Sequence, residues 1–106
     1  MGSGGGGAAG SDIRWDNPSA GARRQLLRDV QPKVPSWVST QGLRLRVVVS
    51  FSISADGVVF QPRIDQSSGY SDFDANVIDA ARLMLFSAEA SSPPISGKRV
   101  YETRPR

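Results

Sequence analysis

The side chains that most often perform catalysis or bind metals are scarce in this sequence. Its 106 residues contain no histidine and no cysteine, which excludes thiolate chemistry, the Ser-His-Asp triad and the usual zinc sites. The ten carboxylates would have to form any metal or acid–base site alone. Asp74 and Asp79 come nearest to an acidic pair, but a capping role and a solvated helix face explain them better. We therefore expect no enzyme, no cofactor and no metal.

Basic side chains are the other chemically informative group. The formal net charge is +3, which permits an anionic partner but is also usual for a solvated surface. Arg44, Arg46, Arg63 and Arg99 are available to meet phosphates on a sheet. Proteins that bind single-stranded nucleic acids stack the bases on aromatic side chains, whereas the polar face of the best predicted strand carries Val48 and serines. We expect no nucleic acid as a partner.

One continuous stretch, residues 42–69, predicts a β-hairpin around which the rest of the chain is organised. In its first half apolar residues alternate with polar ones, which is typical of a strand with one buried face and one face in water. The apolar set comprises Leu43, Leu45, Val47, Val49, Phe51 and Ile53. Ala55, Asp56 and Gly57 then provide a turn, because Asp tolerates turn geometry and Gly accepts a positive φ. The chain returns over residues 58–67.

The return strand is predicted to be an irregular outer strand of the sheet. Val59 and Ile64 both look like core residues, yet their spacing of five places them on opposite faces of a regular strand. One extra residue between them, a β-bulge, would restore the alternation. Pro62 lies in this gap, and proline belongs at a bulge or on an edge strand because it has no N–H to donate.

Two helices are predicted beside the hairpin. Residues 35–42 fit a short helix, with proline in the first turn, Trp37 over the apolar face of the hairpin and Gly42 at the end. A longer helix follows the hairpin, with Ser71 as its N-cap. Its apolar residues recur at intervals of three and four, which indicates one face packed on a core. They are Phe73, Val77, Ala80, Ala81 and Met84, with Phe86 beyond them.

The chain is expected to form one domain with a flexible start. Residues 1–12 are rich in glycine, as is typical of a flexible leader or artificial linker. Residues 13–34 are an N-terminal extension in which Ile13 and Trp15, at strand spacing, pair with residues 23–30 in a short flap; a helical turn is the alternative for the second piece. Residues 35–106 form the main domain. No apolar run approaches the ~18 residues that cross a bilayer.

Residues 97–104 are predicted to form the last strand. Its alternation is weaker and its charge higher, as is typical of an edge strand. Val100 is the clearest inward residue, with Arg99, Tyr101 and Thr103 on the opposite face. The preceding helix carries the chain across the sheet, so that this strand lies beside the first strand and antiparallel to it. The expected fold class is α+β, a small antiparallel three-stranded sheet with two helices packed on one face.

The order and spacing of these pieces resemble the TonB C-terminal domain family. No single motif is specific, but the series is, and it covers residues 35–86. It consists of the short proline-aromatic helix, the alternating strand, Asp56-Gly57 followed by Val59, Ile64 followed by Ser67-Ser68-Gly69, and the apolar helix that ends near Phe86. Phe73 stands where the family prefers leucine, Met84 stands where it often has tryptophan, and the usual proline soon after the helix is missing.

The resemblance implies a periplasmic domain at the end of a protein anchored in the inner membrane and driven by ExbB and ExbD. Such domains bind the TonB box, a short segment of TonB-dependent outer-membrane transporters, and transmit the force that opens them for nutrient uptake. Binding is by strand addition along a free sheet edge. Since Pro62 interrupts the other edge, the last strand is the expected docking strand. Its partner-binding residues are Lys98, Arg99, Val100, Tyr101, Glu102, Thr103 and Arg104.

A different function is compatible with the same fold. The domain is alternatively a cell-envelope scaffold or secretion-system module that binds a cell-wall polymer such as peptidoglycan, or a partner protein. The last strand is alternatively an unpaired or self-pairing edge, and exposed edges permit a monomer or a strand-exchanged dimer. Neighbouring genes for ExbB and ExbD, or a membrane anchor in the full-length protein, would favour the transducer.

Overall fold

The structure, a computed structural model, describes residues 13–103. The predicted leader, residues 1–12, therefore lies outside the described residues, as do residues 104–106. In chain order the elements are β1 (Ile13–Trp15), α1 (Pro18–Ala22), β2 (Leu26–Arg28), α2 (Ser36–Thr40), β3 (Arg46–Ile53), β4 (Val59–Gln66), α3 (Ser71–Arg82), β5 (Leu85–Phe86) and β6 (Ile95–Glu102). The predicted α+β class is confirmed. None of the helices in this part of the chain is long and apolar enough to cross a membrane.

The main sheet is antiparallel and has the strand order β1-β6-β3-β4. As predicted, the best-patterned strand, β3, lies inside the sheet, and the last strand runs antiparallel beside it. The prediction of three strands was wrong by one, because β1 extends the sheet beyond β6. The sequence signal for this strand is only three residues long, and short strands without a neighbouring turn do not reveal their partner.

β3 supplies the centre of the core. Its alternation is confirmed: Val47, Val49, Phe51 and Ile53 are buried beneath the helices, while Arg46 is exposed on the other side. We call the helix-covered side of the sheet the covered face and the opposite side the open face. The covered face packs against α3, in which Phe73, Val77, Ala80 and Ala81 are buried as predicted. The helix ends at Arg82, earlier than predicted, so that Met84 is buried beyond its end and Phe86 is buried in β5.

β4 is an outer strand with the bulge that the spacing of Val59 and Ile64 predicts. Two residues of β4, Gln61 and Pro62, lie opposite the single residue Phe51 of β3. Gln61 has a φ of 53°, a left-handed conformation that a residue with a side chain rarely adopts. A second register shift follows farther along the same pair of strands. The bulge at Gln61 and Pro62 brings Val59 and Ile64 to the same face, and both contact the core.

The short helix α2 confirms the prediction for residues 35–42. Pro35 precedes its first turn, and Gly42 follows its end with a φ of +64°. Val38 is buried in the core, and Trp37 packs against the core from a partly exposed position. The Trp37 and Tyr70 ring centroids are 4.9 Å apart. The helix therefore covers one end of the hairpin.

The start of α3 differs from the prediction. Ser71 is the first helical residue and Tyr70 the N-cap, which makes no side-chain hydrogen bond to the helix. Instead the Asp74 carboxylate accepts hydrogen bonds from the Ser67 hydroxyl, the Ser68 hydroxyl (2.7 Å) and the Ser68 N–H (3.1 Å). Partial burial raises the pKa of Asp74, but these hydrogen bonds outweigh it and hold this pKa below its ordinary value of 3.8. They fix the path of the chain from β4 into α3.

The predicted two-stranded flap is wrong, because its two segments have different partners. β1 joins the main sheet, whereas β2 pairs with β5 in a separate two-stranded sheet. The short helix α1 lies between them, at a place where the sequence indicates only a turn. The Asn17 side chain caps this helix by accepting a hydrogen bond from the Ala20 N–H. Arg24 is buried and donates to the backbone carbonyls of Ser54 and Ser87. These bonds fasten the segment to the hairpin turn and to the chain after β5.

Candidate partner-binding site

Three residues of the predicted last strand, expected to face away from the core, lie instead on the covered face. Arg99, Tyr101 and Thr103 are only 4%, 6% and 8% exposed, and they face the core. Val100 points to the open face, directly opposite Val48 of β3. The prediction that Val100 is the inward residue is therefore wrong. It rested on the rule that charged side chains face water, and a specific partner for Arg99 overrides that rule here.

Arg99 is buried because an acidic residue of another segment neutralises it. Its guanidinium donates two hydrogen bonds to the Asp29 carboxylate, at 2.7 and 2.9 Å, and a third contact at 3.0 Å to the Met84 sulfur. It also lies 4.6 Å from the ring centroid of Tyr101. Burial raises the pKa of Tyr101, with Arg99 lowering it and Asp29 raising it. The ion pair connects the middle of β6 to the chain that follows β2. No local sequence pattern predicts this ion pair.

The open face of β6 carries exposed charges held by weaker pairs. Lys98 lies 3.1 Å from the Asp65 carboxylate, and Glu102 lies 3.8 Å from Arg46. At the end of the strand Thr103 donates its N–H to the Leu45 carbonyl at 2.9 Å, and its hydroxyl accepts from the Leu45 N–H at 2.9 Å. Because exposed ion pairs contribute little to stability, the side chains of Lys98 and Glu102 are free to respond to a partner.

The main chain of β6 presents hydrogen-bonding groups on both sides. Residues of antiparallel pairs alternate between those that bond the partner strand and those that point away from it. Thr103 bonds β3, so every second residue before it does so too. The outward groups therefore belong to Ser96, Lys98, Val100 and Glu102. We call this row the outer edge of β6.

The outer edge is covered along half its length. Ile13, Arg14 and Trp15 of β1 pair with Arg99, Lys98 and Gly97, and the Asp16 N–H donates to the Ser96 carbonyl at 2.9 Å. The prediction of a free edge over the whole last strand is therefore wrong for Gly97, Lys98 and Arg99. Among the described residues, none pairs with the outer side of residues 100–102. Arg104, the last predicted site residue, lies outside the described residues.

Trp15 attaches β1 to the core. Its ring lies edge-on to Phe51 and Phe86, with centroids 5.6 and 5.3 Å apart. Two glycines make room for the indole: a side chain at Gly21 would fall 2.1 Å from its Cγ, and one at Gly97 would fall 3.0 Å from its Cε3. The strand spacing of Ile13 and Trp15 signals β1 correctly, but the two glycines lie too far apart in sequence to reveal this contact.

The open face and the carboxylates of the described residues are the alternatives to the strand edge as possible sites. A shallow concavity of about 330 Å³ lies on the open face among Ser50, Ser52, Arg63, Asp65 and Lys98. Within residues 13–103, no group of acidic residues is arranged to hold a metal ion. The feature best suited to binding is therefore the strand edge, and the fold and this edge define a small α+β interaction domain.

Comparison with known proteins assigns the chain to a family. The model of the Gram-negative bacterial TonB protein C-terminal family matches residues 30–99, so the chain belongs to that family. It is thus a TonB-like periplasmic interaction domain, and the predicted resemblance is confirmed.

Solved structures support the fold. The chain is similar to the solution NMR structure of the TonB C-terminal domain of Pseudomonas aeruginosa, with a TM-score of 0.56 and 23% sequence identity. The match covers 91% of this chain and 87% of that one. No significant match is found among curated proteins.

Proposed function

We propose that this domain binds the TonB box of an outer-membrane transporter by strand addition at the outer edge of β6. The observation that carries the proposal is the asymmetry of β6: one side is paired with β3 over all eight residues, and the other side presents main-chain groups at Val100 and Glu102. A strand held firmly on one side is a rigid template for an extended peptide on the other. The predicted binding residues are residues 98–104.

The side chains of β6 support a force-bearing role. Arg99, Tyr101 and Thr103 anchor the strand in the core and in the Asp29 ion pair. A pull on an added strand therefore passes into the sheet through β6 rather than through a loop. In the proposed function this force derives from an ExbB/ExbD-type complex, reached through an inner-membrane anchor of the full-length protein, and it opens the transporter for nutrient uptake.

A main-chain substitution tests this proposal. Val100→Pro removes the first outward N–H beyond β1, on the stretch of the outer edge with which no described residue pairs, and it removes no hydrogen bond to β3. The matched control Val100→Ala removes the side chain and keeps the N–H. Calorimetric titration with a synthetic TonB-box peptide from a transporter of the same genome should show about tenfold weaker binding to Val100→Pro than to Val100→Ala. Equal binding by the two variants would place the site elsewhere.

The alternative is an envelope scaffold of the same fold that binds cell-wall polymer. The polar concavity of the open face supports this second candidate, because serine hydroxyls and Arg63 are suited to a hydroxylated polymer. Co-sedimentation with purified peptidoglycan tests it. Binding that is lost in Arg63→Ala and kept in Val100→Pro would favour the scaffold, and the reverse pattern with TonB-box peptide favours the transducer.

A further inference from the structure

β1 occupies the same row of main-chain groups that the proposed partner strand needs. We infer that β1 is an intramolecular competitor, which must leave β6 before a partner strand extends past Val100 towards Ser96. The inference rests on the proposed function and adds its regulation. β1 lies outside residues 30–99, the part of the chain that matches the family model.

The exclusion follows from strand geometry. The outward carbonyl of Ser96 already accepts from Asp16, and Lys98 is paired with Arg14. Neighbouring strands lie about 4.8 Å apart, so a second strand along Lys98 would occupy the volume of β1. Partner strand and β1 are therefore mutually exclusive over residues 96–99. Within residues 13–103, no residue pairs with the outward groups of Val100 and Glu102.

β1 is held by a short backbone ladder and by two side chains, Ile13 and Trp15, that pack against the core. It contributes three residues, of which Arg14 is exposed and lies directly opposite Lys98, so that two like charges oppose each other. Trp15 provides the principal attachment, through Phe51 and Phe86. A strand of this kind can detach when one aromatic contact is replaced by a longer partner ladder.

The chain on the far side of β1 is fastened independently. Arg24 donates to the carbonyls of Ser54 and Ser87, and Arg23 forms an ion pair with Glu89 at 3.0 Å. Neither residue contacts β6 through these bonds. Detachment of β1 therefore does not require β2 or the Asp29–Arg99 ion pair to move. A partner strand first meets Val100 and Glu102, and it displaces β1 as it lengthens.

A reversible cross-link tests the inference, because the chain has no cysteine of its own. The double variant Arg14→Cys with Lys98→Cys joins β1 to β6 on the open face when oxidised, since these residues are direct register partners. The matched control, Ser50→Cys with Arg63→Cys, joins β3 to β4 at direct register partners and leaves β6 untouched. Mass spectrometry confirms each cross-link, and binding of the TonB-box peptide is measured before and after reduction.

We expect oxidation of the Arg14/Lys98 pair to weaken peptide binding at least tenfold and reduction to restore it, with no such change in the control pair. Because the affinity for a site that is only partly open falls with its open fraction, Trp15→Ala should bind more tightly than the unmodified domain. In a Trp37→Phe variant Trp15 is the sole tryptophan, and its emission should shift to longer wavelength on peptide binding.

Two kinds of failure are distinguishable. Unchanged binding by the oxidised Arg14/Lys98 variant, with Trp15 emission constant, would overturn the competition while the proposed function stands. Absence of peptide binding by the unmodified domain would overturn the proposed function, and the competition with it.

Discussion

The two sides of the main sheet are protected in different ways. On one side β4 is deformed by two register shifts, a left-handed Gln61 and a proline, all of which are fixed in its sequence. On the other side β6 is regular, and a three-residue strand covers half of it. Proteins commonly protect sheet edges by bulges, by proline or by a covering segment. A bulge blocks an edge permanently, whereas a covering strand blocks it reversibly.

This difference favours β6 as the side where a partner strand is added. A partner at β4 would meet interrupted spacing around Pro62, which has no N–H to donate. A partner at β6 meets evenly alternating groups, half of them already exposed within the described chain.

The largest expected effect concerns the anchoring of β6. Asp29→Ala removes the carboxylate that accepts two hydrogen bonds from the nearly buried Arg99, and we expect it to lower the free energy of unfolding by about 3 kcal/mol. Glu102→Ala removes the exposed partner of Arg46 on the same strand and should cost about 0.5 kcal/mol or less. Urea denaturation measures both. Similar costs would show that the Asp29 ion pair does not anchor the docking strand.

The next effect concerns the strand that covers β6. Trp15→Ala removes a partly buried indole from Phe51 and Phe86, and it should lower the free energy of unfolding by about 2 kcal/mol. Leu27→Ala, at a position 59% exposed, is the control and should change little. Hydrogen exchange should accelerate at the Lys98 amide in Trp15→Ala and stay unchanged along β4. Unchanged protection at Lys98 would mean that β1 does not depend on Trp15.

A pH-dependent effect concerns the end of β4. The folded-state pKa of Asp74 is depressed, so its stabilisation is present above the unfolded pKa, near 3.8, and is lost as the pH falls through the folded pKa. Asp74→Asn should therefore cost about 1 kcal/mol at neutral pH, because its hydrogen bonds are weakened. This cost should shrink below about pH 4. A cost independent of pH would exclude the carboxylate as the group that fixes the exit of β4.

The smallest effect concerns the bulge itself. Gln61→Gly relieves a left-handed backbone at a residue with a side chain, and it should raise the free energy of unfolding by about 0.5 kcal/mol. Because the bulge remains, peptide binding should not move to β4. Destabilisation by this substitution would show that the Gln61 side chain, rather than the backbone, supports the bulge.

Local patterns predict one half of this molecule much better than the other. The alternation of β3, the bulge at Pro62 and the stripe from Phe73 to Met84 are each written in neighbouring residues, and the structure confirms them. The candidate site depends on distant partners instead. The burial of Arg99 depends on its ion pair with Asp29, 70 positions away in sequence. The pairing of β1 with β6 joins the two ends of the described chain. Such pairings follow from tertiary packing, which neither residue type nor spacing records.

The most direct test of the account is an amide-resolved NMR titration of the domain with the TonB-box peptide. The account predicts the largest chemical-shift changes at residues 100–102 and in β1, with the amides of β4 nearly unchanged. Changes concentrated along β4, with β1 and β6 unaffected, would contradict the central claim that the outer edge of β6 is the docking side.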